Sequence, residues 1–170
     1  ETGQIFYCAT SYISFLLAEP ADFLSDVIYD ADMADVASVQ VHIDGETDLN
    51  MELDSENKQY TVNDIDVAAL GTDAVDALTT LYDNLTGLTT STLDLTDNVP
   101  MEEEPEITLT YNLKDGTTEV ITFLAKDKES YYVLRNGEYS GFLAKRTAFT
   151  SRNGILEFYH RLEKTIGMTE

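Results

Sequence analysis

Histidine is scarce in this chain: His42 and His160 are the only imidazoles available for general-base or metal-ligand chemistry. A serine triad needs an imidazole between a nucleophile and an orienting carboxylate. His42 falls on the polar side of an alternating strand pattern, and His160 sits among Glu157, Arg161 and Lys164 on a helical one. Both therefore read as exposed structural side chains. The chain contains no Gly-x-Ser-x-Gly elbow, Walker loop, His-Glu-x-x-His or clustered Cys/His spacing. Nucleophilic, phosphoryl-transfer and zinc chemistry have no motif behind them, and no catalytic, cofactor-binding or metal residue is assigned.

Carboxylates are so abundant, at 32 Asp and Glu, that pairs of them say little about glycoside hydrolysis. That reaction needs two acids in contrasting environments within a cleft. Tryptophan is absent, which weakens a sugar-stacking reading, although ten Tyr are present. Asp30-Ala31-Asp32 and Asp64-Ile65-Asp66 place carboxylates two apart, as hard-cation loops do, and make calcium the candidate ligand. The twelve-residue loop with its central Gly and terminal Glu is missing, so a solvated acidic face is the better reading of both pairs. Cys8, the only cysteine, permits no intrachain disulfide and lies in an apolar run as a small hydrophobe. Asn84-Leu85-Thr86 has the form of a glycosylation sequon but falls near the end of a helical pattern.

Net charge is −22, and its distribution is uneven. Residues 1–113 carry 24 acids against the single base Lys58, whereas residues 114–170 carry 8 acids against 9 bases. Nucleic-acid affinity comes from Lys and Arg displacing counterions from phosphates, so this field excludes a nucleic-acid partner. Anionic membrane surfaces are disfavoured for the same reason. No run of about eighteen apolar residues is present, so this segment is not expected to insert into a membrane. The chain starts at Glu1 without Met, which reads as a piece excised from a longer precursor.

The elements that must position these residues follow from periodicity. Residues 4–10 read as a strand, residues 12–18 as a short apolar helix, and residues 22–36 as a mixed helix and extended connection. Val39, Val41 and Ile43 alternate with polar residues, giving a strand over 37–44 that turns at Asp44-Gly45 into a partner carrying Leu49, Met51 and Leu53. A third short strand is expected at Tyr60 to Val62. Asp73 reads as an N-cap for a helix over 73–86, with Gly87 as its stop. After a β-rich bridge at 89–93, Pro100, Pro105 and Glu102-Glu103-Glu104 mark an acidic linker over about 96–106.

Two hairpins can be read to the residue. A three-residue Lys114-Asp115-Gly116 loop pairs Leu109 with Ile121 and Ile107 with Phe123, so that apolar residues share a face. A two-residue Asn136-Gly137 turn sets Arg135 against Glu138, Leu134 against Tyr139 and Tyr132 against Gly141. The chain closes with a helix over 148–165, whose face is lined by Ile155, Tyr159, Leu162 and Ile166 and whose Glu157 and Arg161 form an exposed pair.

The fold class is therefore α+β: antiparallel β-hairpins packed with two main helices, about 73–86 and 148–165, open to a two-lobed arrangement. Strand-to-helix segments near residue 3 and residue 140 resemble each other and suggest a partial internal repeat. Residues 1–34 then form the strand-helix tail of a preceding unit, and 35–170 a complete one.

The order of Val36-Ala37-Ser38-Val39-Gln40-Val41, Tyr60, the Asp73-Ala74-Val75-Asp76-Ala77-Leu78 helix, Pro105, Asp115-Gly116 and Tyr131-Tyr132-Val133-Leu134 resembles the bacterial family catalogued as domain of unknown function 4340. The chain departs from it over Leu95 to Glu104, in place of a Tyr-Gly-Leu segment, and at Ala125, in place of a glycine. The resemblance implies repeated α+β units outside the cytoplasm, anchored to the cytoplasmic membrane, in some relatives as auxiliaries of ABC-type or gliding-motility transport. It carries over no functional residues. The expectation is a non-catalytic extracytoplasmic interaction module with a protein partner in the cell envelope. A carboxylate-dependent glycan or peptide hydrolase and a calcium-responsive surface domain are the alternatives.

Overall fold

A computed structural model describes residues 26–46, 48–96 and 98–168. The expected strand 4–10 and helix 12–18, Cys8 and the first copy of the suggested repeat lie outside the described residues. Over 26–35 the chain is bend and turn with no helix; it is tied down by a bridge from Val27 to Thr89, by the Tyr29 ring against Tyr111 at 4.7 Å, and by the Asp35 carbonyl accepting from the Lys114 amide. The helical part of the reading over 22–36 therefore fails for these residues: the acids fall between apolar residues without a sustained 3.6-residue stripe.

The strands are β1 (Val36–Ile43), β2 (Leu49–Asp54), β3 (Gln59–Val62), β4 (Ile65–Asp66), β5 (Thr92–Leu93), β6 (Ile107–Leu113), β7 (Thr118–Ala125), β8 (Ser130–Arg135) and β9 (Glu138–Lys145). They form one antiparallel sheet in the order β4-β3-β2-β1-β6-β7-β8-β9-β5. The helices are α1 (Thr72–Thr86), α2 (Thr147–Thr150) and α3 (Ile155–Ile166). This is an α+β architecture with two main helices. The acidic segment around 96–106 leads from β5 at one edge back to β6 in the middle of the sheet, beside β1.

Alternation explains the layering, because successive strand side chains point to opposite faces. Leu49, Val41, Leu109 and Ile121 stand in one cross-strand row, and Ile43, Ile107 and Phe123 in the next. All are buried, and they belong to a single core with Ala77, Leu78, Leu81 and Leu85 of α1 and Ile155, Tyr159, Leu162 and Ile166 of α3. Burying each large apolar side chain contributes about 1.5–3 kcal/mol, so this face holds the sheet and both helices together.

The three-residue loop is observed as read: Leu109 pairs with Ile121, Ile107 with Phe123, and Gly116 takes a φ of 89°. The Asn136-Gly137 turn also holds, with both residues at positive φ, and pairs Arg135 with Glu138 and Leu134 with Tyr139. Beyond it the reading fails. Tyr132 faces Leu143, not Gly141, because the register shifts between Val133 and Leu134. Ser140 and Gly141 form a bulge in β9: Gly141 has φ 81° and the Ser140 hydroxyl donates to the Val133 carbonyl at 2.7 Å.

The helix ends differ from expectation too. Gly71 occupies the N-cap of α1 and Asp73 lies inside the first turn with no capping hydrogen bond, so Asp73 acts only on the helix dipole. Gly87 does end α1, by close approach: a Cβ there would sit 2.8 Å from the Asp83 carbonyl oxygen. The expected 148–165 helix is broken into α2 and α3. Gly154 passes so near α2 that a Cβ would lie 2.5 Å from the Phe149 carbonyl oxygen. The break turns Phe149 into the core, edge-on to Phe123 at 4.9 Å and Tyr131 at 5.7 Å.

Candidate functional site

The helices cover one face of the sheet; among the described residues no helix covers the other. On that open face β1, β2 and β6 present Gln40, His42, Asn50, Thr108 and Thr110, the polar partners of the alternation that built the core. These residues, with Asp48 and Asn63, line a cleft of 370 Å³. The Asn63 side chain fixes its rim by donating to the Asp48 carbonyl at 2.8 Å and accepting from the Asn50 amide at 2.7 Å. His42 Nδ1 lies 2.6 Å from Asp48 Oδ1 on the exposed surface. No hydroxyl or thiol is hydrogen-bonded to either imidazole among the described residues, so the cleft offers polar contacts without an activated nucleophile.

Toward β7, β8 and β9 the same face becomes apolar. Leu124, Leu134 and Leu143 are buried there, outside the main core, and the Tyr132 and Tyr139 rings meet edge to face at 5.6 Å. The Tyr139 hydroxyl donates to the Asp94 carbonyl at 2.8 Å, and the Asp94 carboxylate pairs with Lys126, whose ammonium stands over the Tyr132 ring. This end is occupied by the protein's own 94–96 segment.

A charged network locks α2 to the sheet. Arg146 forms a two-pronged pair with Glu106 at 2.7 and 2.8 Å, donates from Nε to the Asp127 carbonyl, and lies over the Tyr131 ring at 4.3 Å. The Tyr131 hydroxyl donates to Glu106 at 3.0 Å. The guanidinium beside Glu106 holds its carboxyl below the usual range, and burial together with that carboxylate pushes the Tyr131 phenol up to about 12. Each guanidinium nitrogen and the Tyr131 hydroxyl donates within the network, which makes it an anchor rather than a reactive centre.

The turn that follows β1 brings a third group of residues together. Glu46, next to Gly45 in that turn, places Oε2 2.8 Å from His160 Nε2 on α3, and Glu163 lies one helical turn beyond His160. The three ligand atoms all lie within 4.8 Å of one another. Glu163 is only 3% exposed, and among the described residues none hydrogen-bonds its carboxylate. Burial raises its pKa, opposed by His160 and aided by Glu46. The adjacent Tyr159 hydroxyl is also buried without a partner. Glu46, His160 and Glu163 are the described residues that could hold a metal ion.

The sequence pairs selected for calcium do not converge. Asp32 Oδ1 accepts from the Ala34 amide and Asp66 Oδ1 from the Ala69 amide, so both carboxylates brace their own turns. Asn84 lies on α1 and donates to the Thr80 carbonyl, with Thr86 buried beside it. Glu157 and Arg161 are both exposed on α3, and no ion pair joins them. Sequence reasoning placed His160 among its helical neighbours and missed Glu46, which comes from the far side of the chain. The one legible signal was the His160-x-x-Glu163 spacing, which puts both side chains on one helical face. No family model, curated protein or solved structure matches this chain.

Proposed function

We propose that the chain is a non-catalytic interaction module of the bacterial envelope, an auxiliary part of a transport or envelope assembly that receives a protein partner on its open sheet face. The observation that carries this reading is the row of Gln40, His42, Asn50, Thr108 and Thr110 around a 370 Å³ cleft on a face no described helix covers. The rigid sheet beneath holds these groups in register, so a partner meets a pre-organised polar surface. Net charge of −22 favours a partner with a basic surface and speeds their encounter at low salt. The extracytoplasmic setting rests on the family resemblance.

Site-directed photo-crosslinking in native membranes tests it. A crosslinker at Thr108 or Thr110 should capture one discrete protein, and Gln40→Arg with Thr110→Arg should abolish the capture. Equal capture from Arg161 on the helical side, or reproducible turnover of a glycan or peptide by the purified chain, would overturn the reading.

A further inference from the structure

We propose that Glu46, His160 and Glu163 form a binding site for a divalent first-row transition ion, with zinc as its fitting occupant, which clips the β1–β2 turn onto α3. The inference stands apart from the interaction reading above, since the site lies on the helical side and uses none of the cleft residues.

Three observations converge. The donors come from two distant parts of the chain and meet within 4.8 Å, so the fold and not local sequence assembles them. Ligand atoms on a tetrahedral ion at bond lengths of about 2.0–2.2 Å lie roughly 3.3 Å apart. Glu46 Oε2 and His160 Nε2 stand 2.8 Å apart, so an opening of about 0.5 Å would seat the ion between them.

Second, Glu163 is buried, unpartnered and directed at the other two donors. A carboxylate taken out of water without a hydrogen bond is costly; His160 offsets part of that cost, and a bound cation would offset more. Third, among the described residues no Lys or Arg pairs with Glu46 or Glu163, so none of them competes for the position.

The donor set selects among metals. One imidazole and two carboxylates match zinc, which accepts three protein ligands and completes its shell with water. Calcium requires six to eight oxygens and magnesium a near-ideal octahedron of them, and an imidazole serves neither. His160 turns Nε2 toward Glu46, the orientation that a ligand role needs.

The test is zinc titration of the tag-free chain by calorimetry and thermal unfolding, with calcium and magnesium at equal ionic strength. Zinc should bind one to one and raise the unfolding midpoint, and the other two ions should not reproduce the shift. His160→Ala and Glu163→Gln should each weaken zinc binding at least tenfold. Glu163→Gln should leave the metal-free midpoint unchanged or higher, because it removes an unpartnered buried acid. That combination separates a ligand from a residue needed for folding. His42→Ala, which removes the other histidine–carboxylate pair, should retain the zinc response. Absence of zinc binding, full affinity in either site variant, loss in His42→Ala, or an equal shift with calcium would overturn the proposal.

Discussion

Removing the Glu106 carboxylate tests whether α2 is held to the sheet by charge. Glu106→Gln breaks the two-pronged pair at 2.7 and 2.8 Å and weakens the acceptor for the Tyr131 hydroxyl, while keeping the side chain's shape. Hydrogen bonds to charged groups contribute about 1.5–3 kcal/mol each when well buried. Here the side chains remain 23% and 36% exposed for Arg146 and Glu106, so solvent screening reduces the coupling. A double-mutant cycle with Arg146→Met should therefore give about 1–2 kcal/mol for the pair at neutral pH.

The pH dependence has a defined sign. Arg146, opposed by burial and aided by Tyr131, depresses the folded Glu106 pKa below its ordinary value of 4.5. The unfolded chain then binds a proton first, so the stabilisation is complete above the unfolded pKa and fades as pH falls through the lower folded one. Urea unfolding of the wild type, both single variants and the double variant, from pH 7 into the acid range, measures this directly. A coupling below about 0.3 kcal/mol at neutral pH, or one that grows on acidification, would refute the reasoning.

Phe149→Ala empties the edge-to-face cluster with Phe123 and Tyr131, and should cost about 3–5 kcal/mol in urea unfolding. Gly154→Ala drives a methyl to within 2.5 Å of the Phe149 carbonyl oxygen. It should cost about 1–3 kcal/mol in urea unfolding, whereas the same change at a solvent-exposed helical position stabilises by about 0.5–1 kcal/mol. Two of the buried core tyrosines should respond oppositely to loss of their hydroxyls. Tyr111→Phe removes an unpartnered group and should be neutral or stabilising. Tyr82→Phe loses the 2.9 Å bond to the Ala31 carbonyl and should cost about 1 kcal/mol by chemical denaturation.

Legibility in the sequence followed the range of the cause. Leu109 against Ile121 was readable because a one-residue slip would have turned every apolar side chain in two strands outward. Asn136-Gly137 fixed only the pairs next to it; the Ser140-Gly141 bulge depends on how β9 meets β5 and the 94–96 segment, and those contacts are non-local. The Asn63-Asp64 turn that creates β4 went unread. Both residues take positive φ, but without glycine the pair is a weaker hairpin signal than Asn-Gly. The final helix was placed by Ile155, Tyr159, Leu162 and Ile166, while its break depends on how closely Gly154 approaches Phe149. The Glu46–His160 contact spans the chain and leaves no periodic trace.

The central β1–β6 pairing has a kinetic consequence. On one side β1 to β4, and on the other β6 to β9, each pair with strands adjacent in sequence through short turns. Those meanders can form early, since closing short loops loses little chain entropy. The seam itself joins Ile43 to Ile107 and Val36 to Leu113, enclosing α1, β5 and the acidic segment in one long loop. Zipping that seam is the step with the highest sequence separation in the sheet, and it should set the folding rate. Lengthening the exposed acidic segment with Gly-Ser repeats would then slow refolding while leaving the unfolding rate nearly unchanged. Faster unfolding with an unchanged refolding rate would place the seam after the barrier.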